Sequence, residues 1–205
     1  MVIMTVTKLK LTFDRFLEEY PDNGCKYELV GGEFVEMRAT RGHDTIADLI
    51  LFTLHDEVRR LNLDLVVTNR LVIQTLNRQG EEQARIPDVS VVDRQIWLAN
   101  PSAYTAFNRP IQLAVEVTST NWDDDYVDKL EEYEHLGIAE YWIVDYLAIA
   151  AREYLGNPKQ PTVFVHVLGV DGKYQRTQFR GEERIVSKLF PELDLTVAQI
   201  IGAAP

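Results

Sequence analysis

The sequence has little cysteine, no long apolar run and no excess of basic residues, and each shortage excludes a class of protein. Cys25 is the single cysteine among 205 residues, which excludes an internal disulfide and a cysteine-rich zinc site. No apolar run approaches the roughly 18 residues that a membrane span requires, and the N-terminus lacks the long apolar segment of a signal peptide. We therefore expect a cytoplasmic protein with no membrane association.

Acidic residues outnumber basic ones, and the formal net charge is −11. This charge argues against a surface that binds nucleic acid over its whole area, because phosphates are held by positive potential. Part of the acidic excess is local, since seven of the acids lie between residues 123 and 134. A basic groove elsewhere on the surface is compatible with this distribution, and the residues that would line it are Arg38, Arg41, Arg70 and Arg85.

Local sequence patterns predict several strands and helices. Residues 26–37 form two alternating runs around a pair of glycines, which suit the positive φ angles of a tight β-hairpin. Apolar residues recur at intervals of three and four over residues 43–61, as in a long helix with one face on the core. A second helix is predicted over about residues 124–136, and a buried strand over residues 140–146.

The order of these elements indicates an α/β or α+β fold. A helix and a series of strands, followed by strand, helix and strand, are typical of a mixed β-sheet flanked by helices. Alternating residues at 148–155, 162–168 and 174–179 predict an antiparallel extension of the sheet, and Thr196 begins a final short helix.

One domain accounts for the length of the chain. With 46% hydrophobic residues the chain can bury a good core, and no internal repeat or low-complexity linker divides it. We predict a single domain over residues 1–205. Its core would span about residues 26–146, and a C-terminal β extension with a short helix would occupy residues 147–205.

Two of the predicted buried strands carry a carboxylate. The run at residues 111–118 is dense in apolar and β-branched residues yet contains Glu116, and the run at residues 85–92 contains Asp88. An ionised side chain is costly to bury alone, so Glu116 should meet a cation, a hydrogen-bond network or a metal. If the two strands are neighbours, they form a small acidic pocket, which Lys129 on the following helix could join.

Two carboxylates and a lysine suit metal-assisted hydrolysis of a phosphodiester. Magnesium takes oxygen ligands and keeps several waters, so two carboxylates and a backbone carbonyl suffice to hold it. The metal lowers the pKa of a bound water and offsets the charge that grows on the phosphate. A lysine beside it can orient the water and stabilise the transition state.

Five blocks of sequence, taken together, resemble a known family. In chain order they are Tyr27-Glu-Leu-Val-Gly-Gly-Glu33, Pro87-Asp-Val-Ser-Val-Val92, Leu113-Ala-Val-Glu-Val117, Asp128-Lys129 with Tyr133, and Gly137-Ile-Ala-Glu-Tyr-Trp-Ile-Val-Asp145. In order and spacing these blocks resemble the putative restriction endonuclease family of the PD-(D/E)XK nuclease superfamily. The resemblance covers most of the chain. It implies a restriction-endonuclease-like fold, dependence on magnesium with manganese as a substitute, and DNA as the substrate.

The resemblance also assigns roles to residues of the predicted pocket. It implies that Asp88 and Glu116 bind the metal and that the carbonyl of Val117 completes the metal site. The chain departs from the superfamily pattern at Thr118, which stands two residues after Glu116 where a lysine is usual. Lys129 would take the place of that lysine as a catalytic residue, and a change at Lys129 should then spare metal binding. The competing interpretation of Lys129 is a counter-charge among the acids of its own helix.

Three further residues have open roles. Glu28 and Glu33 are either supports of the metal from the hairpin or ordinary exposed strand residues. His43, at the start of the long helix, either contacts the phosphate or is structural.

The favoured function is a magnesium-dependent DNA endonuclease. We expect it to act as a homodimer, because exposed strands are predicted within residues 148–179 and nucleases of this superfamily often cut both strands. The alternative is a catalytically inactive nuclease-fold protein that serves as a binding module. A third hypothesis is a hydrolase that acts on another phosphate substrate.

Overall fold

The strands form two mixed sheets flanked by helices in a computed structural model that describes residues 10–204. The predicted domain ends at residues 1 and 205 lie outside the described residues. In chain order the strands are β1 (Lys26–Val30), β2 (Glu33–Met37), β3 (Leu65–Thr68), β4 (Val72–Leu76), β5 (Glu82–Arg85), β6 (Val89–Asp93), β7 (Ala106–Phe107), β8 (Leu113–Val117), β9 (Glu140–Asp145), β10 (Thr162–Leu168) and β11 (Tyr174–Phe179). The helices are α1 (Phe13–Glu18), α2 (Arg41–Arg60), α3 (Arg94–Leu98), α4 (Lys129–Leu136), α5 (Arg152–Leu155) and α6 (Val197–Ala203), and a π-helical turn (Asp124–Asp128) immediately precedes α4. The predicted mixed α+β architecture is confirmed.

The smaller sheet has the strand order β2-β1-β5-β4-β7, and the larger has the order β11-β10-β9-β8-β6-β3. In the larger sheet β8 and β9 are parallel, and every other neighbouring pair is antiparallel. The chain crosses from β8 to β9 through the π-helical turn and α4. All five residues of β8 are buried, which is typical of a central strand covered on both faces.

Helices cover the larger sheet on both faces. On one face Ile46, Ile50 and Leu54 of α2 are fully buried in a core that also contains Val91 and Val115 of the sheet. The other face carries a second core with Ala114, Tyr141 and Ile143 from the sheet and Tyr133 from α4. Successive residues of a strand point to opposite faces, so every second residue shares a face. Glu116, two residues after Ala114, therefore lies on the α4 side with it.

Several predicted elements are confirmed at nearly the predicted residues. The hairpin joins β1 to β2, and the two glycines at its turn have positive φ angles of 60° and 86°. The long helix spans residues 41–60, and Thr40 caps its N-terminus by accepting from the amide of His43. The helix predicted from residue 124 begins as the π-helical turn and ends at Gly137, whose φ is 89°. The last helix is capped by Thr196, as predicted.

The prediction of a strand at residues 148–155 is wrong. The side chain of Asp145 accepts hydrogen bonds from the amides of Ile149 and Ala150, both at 3.0 Å, and Ala148 has a φ of 52°. These bonds fold the chain into a turn directly after β9, because a carboxylate that captures nearby amides competes with a strand ladder. The short α5 follows, so the antiparallel extension consists of β10 and β11 alone.

The C-terminal extension shares its core with the rest of the larger sheet. Phe190, Leu193 and Ile200 are almost fully buried among the same apolar side chains as α2. None of the helices within residues 10–204 combines the length and the apolar character that crossing a bilayer requires.

Candidate functional site

Strand pairing brings the two predicted carboxylates together. The antiparallel register of β6 and β8 pairs Val89 with Val115, so Asp88 comes level with Glu116. The backbone N–H of Val117 donates to Oδ2 of Asp88 at 2.8 Å. This bond fixes the Asp88 carboxylate at the end of β8, beside the residue whose carbonyl is the predicted third metal ligand.

Glu116 is 2% exposed and has two close partners. The hydroxyl of Tyr133 donates to Oε1 at 2.7 Å, and Nζ of Lys129 lies 3.1 Å from Oε2. Burial raises the pKa of Glu116 well above its ordinary value; Lys129 opposes this shift, while the nearby carboxylates, Asp88 first, add to it. Glu116 therefore has the cation and the hydrogen bond that its burial requires, in a pocket with an excess of carboxylates.

Lys129 reaches the pocket from the first residue of α4. Its Nζ lies 3.3 Å from Oδ1 of Asp125 and 3.7 Å from Oε1 of Glu28, in addition to the contact with Glu116. Burial alone would lower the pKa of Lys129, but the three carboxylates outweigh it and raise the pKa well above the ordinary value. For Asp125, a carboxyl group, burial has the opposite effect and raises the pKa to about 6, although Lys129 counteracts the shift. The ammonium of Lys129 is thus charged and surrounded by carboxylates.

Thr118 supplies no positive charge in place of the lysine that is usual at its position. Its side chain is fully buried, and its hydroxyl has no hydrogen-bond partner within residues 10–204. The positive charge beside Glu116 comes from α4 instead, because the crossover places Lys129 over the end of β8.

Arg85 and Glu28 form a buried ion-pair network beside the site. Nε and Nη2 of Arg85 donate to the two carboxylate oxygens of Glu132 at 2.8 and 2.7 Å, and Nη1 donates to Glu28 at 3.1 Å. The other oxygen of Glu28 accepts from the amide of Ile86 at 3.0 Å. Arg85 does not belong to the basic surface groove that the sequence left possible, since this residue is 2% exposed and holds α4 against the smaller sheet.

His43 lies against Asp88. Its Nε2 is 3.2 Å from Oδ2 of Asp88, and its Nδ1 is 3.4 Å from Oδ1 of Asp44. Burial alone would lower the pKa of His43, but the two carboxylates, Asp88 first, outweigh burial and raise the pKa to about 9. Glu33 is exposed on β2 and is not among the residues that line the cavity. The structure therefore brings His43 to the site and leaves Glu33 outside it.

These side chains line one cavity of about 610 Å³. Within the described part of the chain, its lining contains eight carboxylates and only three Lys or Arg residues. The carboxylates are Glu28, Glu36, Asp44, Asp48, Asp88, Glu116, Asp124 and Asp125, and the basic residues are Lys26, Arg38 and Lys129. This excess of negative charge favours a cation over an anion in the cavity.

The donor set fits a hard divalent cation. The acidic side chains of the cavity offer oxygen ligands, which magnesium and manganese prefer. Residues 10–204 contain no group of three or more His, Cys, Asp or Glu side chains arranged to hold a metal ion. Magnesium needs only one or two carboxylates when waters complete its shell, and Asp88 with Glu116 supplies that number.

Asp125 is the site residue that the sequence did not single out. It stood among seven acids in one stretch, where nothing marks one carboxylate as buried. Its position four residues before Lys129 was the available signal, because residues four apart share one side of a helix.

Comparison with known proteins identifies a family and a fold. Residues 13–198 match the Uma2 family model, which is described as "Putative restriction endonuclease". Four chains of solved structures match as well. One of these, described as a "putative nuclease belonging to DUF820" from Anabaena variabilis ATCC 29413, has a TM-score of 0.70 and 17% sequence identity, over 94% of this chain and 98% of its own. This likeness shows a shared fold. No curated protein matches the sequence.

Proposed function

This chain belongs to the Uma2 family, which is described as "Putative restriction endonuclease". We propose that it hydrolyses phosphodiester bonds in DNA with the help of a divalent cation. The observation that carries the proposal is the position of Lys129. Its ammonium lies 3.1 Å from Glu116, in the cavity that Asp88 also lines, although it comes from a helix and not from the strand. Aspartate, glutamate and lysine thus meet at one end of β8, as metal-assisted phosphodiester hydrolysis requires.

Asp88 and Glu116, with the carbonyl of Val117, would hold magnesium, or manganese as a substitute. When bound, the cation supplies a water of lowered pKa and positive charge that offsets the phosphate in an acidic cavity. The acidic lining supports this dependence on a cation, because a polyanion such as DNA would otherwise meet repulsion at the cavity.

The protein side chains have separate tasks in this proposal. Lys129 stays charged at neutral pH, and its ammonium donates hydrogen bonds to the attacking water and to the phosphate oxygens. Tyr133 holds Glu116 in one orientation through the 2.7 Å hydrogen bond. Both ring nitrogens of His43 face carboxylates, so His43 positions Asp88.

A specific observation also favours the alternative of a catalytically inactive binding module. Lys129 already pairs with Glu116, and Arg85 with Glu28, so these carboxylates have partners inside the protein. In this alternative the network would stabilise the fold without catalysis. Measurement of DNA cleavage separates the two functions.

We predict that purified protein nicks supercoiled plasmid DNA with magnesium or manganese and does not do so in excess chelator. Asp88→Asn should lower the rate by about 100-fold or more, because metal stabilisation of the transition state is worth several kcal/mol. Asp48→Asn is the matched control, since Asp48 lines the same cavity but is exposed, and its rate should stay within a few fold of the wild type. Undiminished cutting in excess chelator would contradict the proposal.

We further propose that the protein acts in the cytoplasm as a homodimer. Strand β11 is an edge of the larger sheet, and its residues 175–178 are exposed, so its outer edge can pair with a second copy. Light scattering at micromolar concentration should give about twice the chain mass of 23.5 kDa. The mass of a single chain at that concentration would count against the dimer.

A further inference from the structure

Asp125 has a defined place beside Lys129 that the proposed mechanism does not use. Its side chain is buried, with Oδ1 3.3 Å from Nζ of Lys129, and it lines the same cavity as Glu116. Its backbone carbonyl accepts a hydrogen bond from the hydroxyl of Tyr141, a fully buried residue of β9, at 3.0 Å. The backbone at Asp125 is therefore held to the sheet independently of its carboxylate.

The π-helical turn gives Asp125 this position. The turn immediately precedes α4, so Asp125 and Lys129 are four residues apart on one side of a continuous helical segment. One carboxylate, Glu116, approaches the ammonium from the sheet, and the other, Asp125, approaches it from the helix. The ammonium is thus held from two directions at similar distances.

A lysine from a helix needs such a second contact more than a lysine from a strand does. A residue at position 118 would be oriented by the strand that carries Glu116. Lys129 instead reaches the site on a flexible four-carbon side chain, whose ammonium can rotate among acceptors. Without Asp125, the ammonium would keep only one close contact, with Glu116, because Glu28 is more distant at 3.7 Å.

We infer that Asp125 is a positioning residue that acts through Lys129, holding its ammonium beside Glu116 where the superfamily lysine of the strand would otherwise lie. This inference rests on the proposed function, in which Lys129 contacts the reacting groups. It assigns to Asp125 no contact with the substrate, so the effect of Asp125 on cleavage should depend entirely on Lys129.

A double-mutant cycle tests this dependence. The four proteins are the wild type, Asp125→Asn, Lys129→Met and the double variant, and kcat and KM for plasmid cleavage are measured in saturating magnesium. Asparagine has nearly the same shape as aspartate, so the buried site keeps its volume. Asp125→Asn should lower kcat by about tenfold or more with KM within about twofold, and it should change kcat by less than about twofold when Lys129 is already methionine. Asp128→Asn is the matched control, because Asp128 lies exposed on the same turn, and it should leave kcat unchanged.

Thermal melting without metal gives a second measurement that does not depend on activity. Asp125→Asn should raise the melting temperature by about 3–6 °C more when Lys129 is methionine than when Lys129 is present. In the methionine background the substitution removes a buried carboxylate without its cation, whereas with Lys129 present it also removes a charged pair that offsets part of the cost of burial. If Lys129→Met leaves no measurable cleavage, the melting temperatures alone test whether the effect of Asp125 depends on Lys129.

The other possible results contradict either the proposed function or the role inferred for Asp125. A wild type that cleaves no DNA under any condition overturns the proposed function and the inference with it. A wild type that cleaves DNA, with equal losses of kcat from Asp125→Asn in both backgrounds, overturns the inference alone. Equal melting shifts in both backgrounds also overturn it.

Discussion

Replacing Arg85 by methionine is expected to lower the free energy of unfolding by about 3–5 kcal/mol. The guanidinium is 2% exposed and joins Glu28 on β1 to Glu132 on α4, two carboxylates that are themselves almost fully buried. Methionine fills a similar volume, so the loss comes from two buried charges left without their cation and not from a cavity. Urea denaturation followed by circular dichroism measures this loss.

Arg78 provides a matched control for this prediction. It pairs with Glu131, the neighbour of Glu132 in sequence, but both side chains of that pair are about half exposed. Arg78→Met should cost less than about 1 kcal/mol, because exposed ion pairs contribute little in water. Similar losses in the two variants would show that the buried network does not carry the stability assigned to it.

Replacing Lys129 by methionine is expected to have two large and opposite effects. DNA cleavage should fall by about 100-fold or more, because the variant lacks the ammonium that the proposed mechanism assigns to the phosphate. Binding of manganese should tighten by about tenfold or more, since Lys129 lies among Glu116, Asp125 and Glu28 and competes with a metal for the same carboxylates. From the sequence alone, a change at Lys129 was expected to spare metal binding. The ion pair with Glu116 changes that expectation.

Calorimetric titration with manganese measures the affinity, and Lys26→Met is the control. Lys26 lines the same cavity, but it is exposed and donates to the carbonyl of Asn69 at 3.0 Å. Its removal changes the net charge equally, yet water and salt screen its effect, so the affinity should change by less than about threefold. An unchanged or weaker manganese affinity in Lys129→Met would show that the lysine does not compete with the metal.

Much of the fold followed from patterns that are local in sequence. The two glycines of the hairpin require positive φ angles, and the apolar stripe of α2 has the period of a helix, so both were predicted within two residues. The acidic pocket was expected only if β6 and β8 were neighbours, and their antiparallel pairing meets that condition. The burial of Glu116 was expected to require a cation, a hydrogen-bond network or a metal, and its observed partners are Lys129 and Tyr133.

The parts that could not be predicted depend on contacts between distant residues. Arg85 reads as a surface cation until Glu28 and Glu132 are seen to meet it from two other elements. His43 is one of four histidines, with nothing in the sequence to link it to Asp88, and only the fold brings the two together. The strand predicted at residues 148–155 failed because alternation does not show that the side chain of Asp145 captures the amides that follow it.

The crossover from β8 to α4 bears on how related chains can be recognised in sequence databases. A search for a glutamate followed two residues later by a lysine passes over this chain, because Thr118 stands at that position. The proposed mechanism requires only that an ammonium lie close to the glutamate, and here Lys129 lies 3.1 Å from Glu116 although the two are thirteen residues apart in sequence. A search pattern for such chains should therefore pair the strand glutamate with a lysine at the start of the next helix, and should let the residue after the strand vary freely.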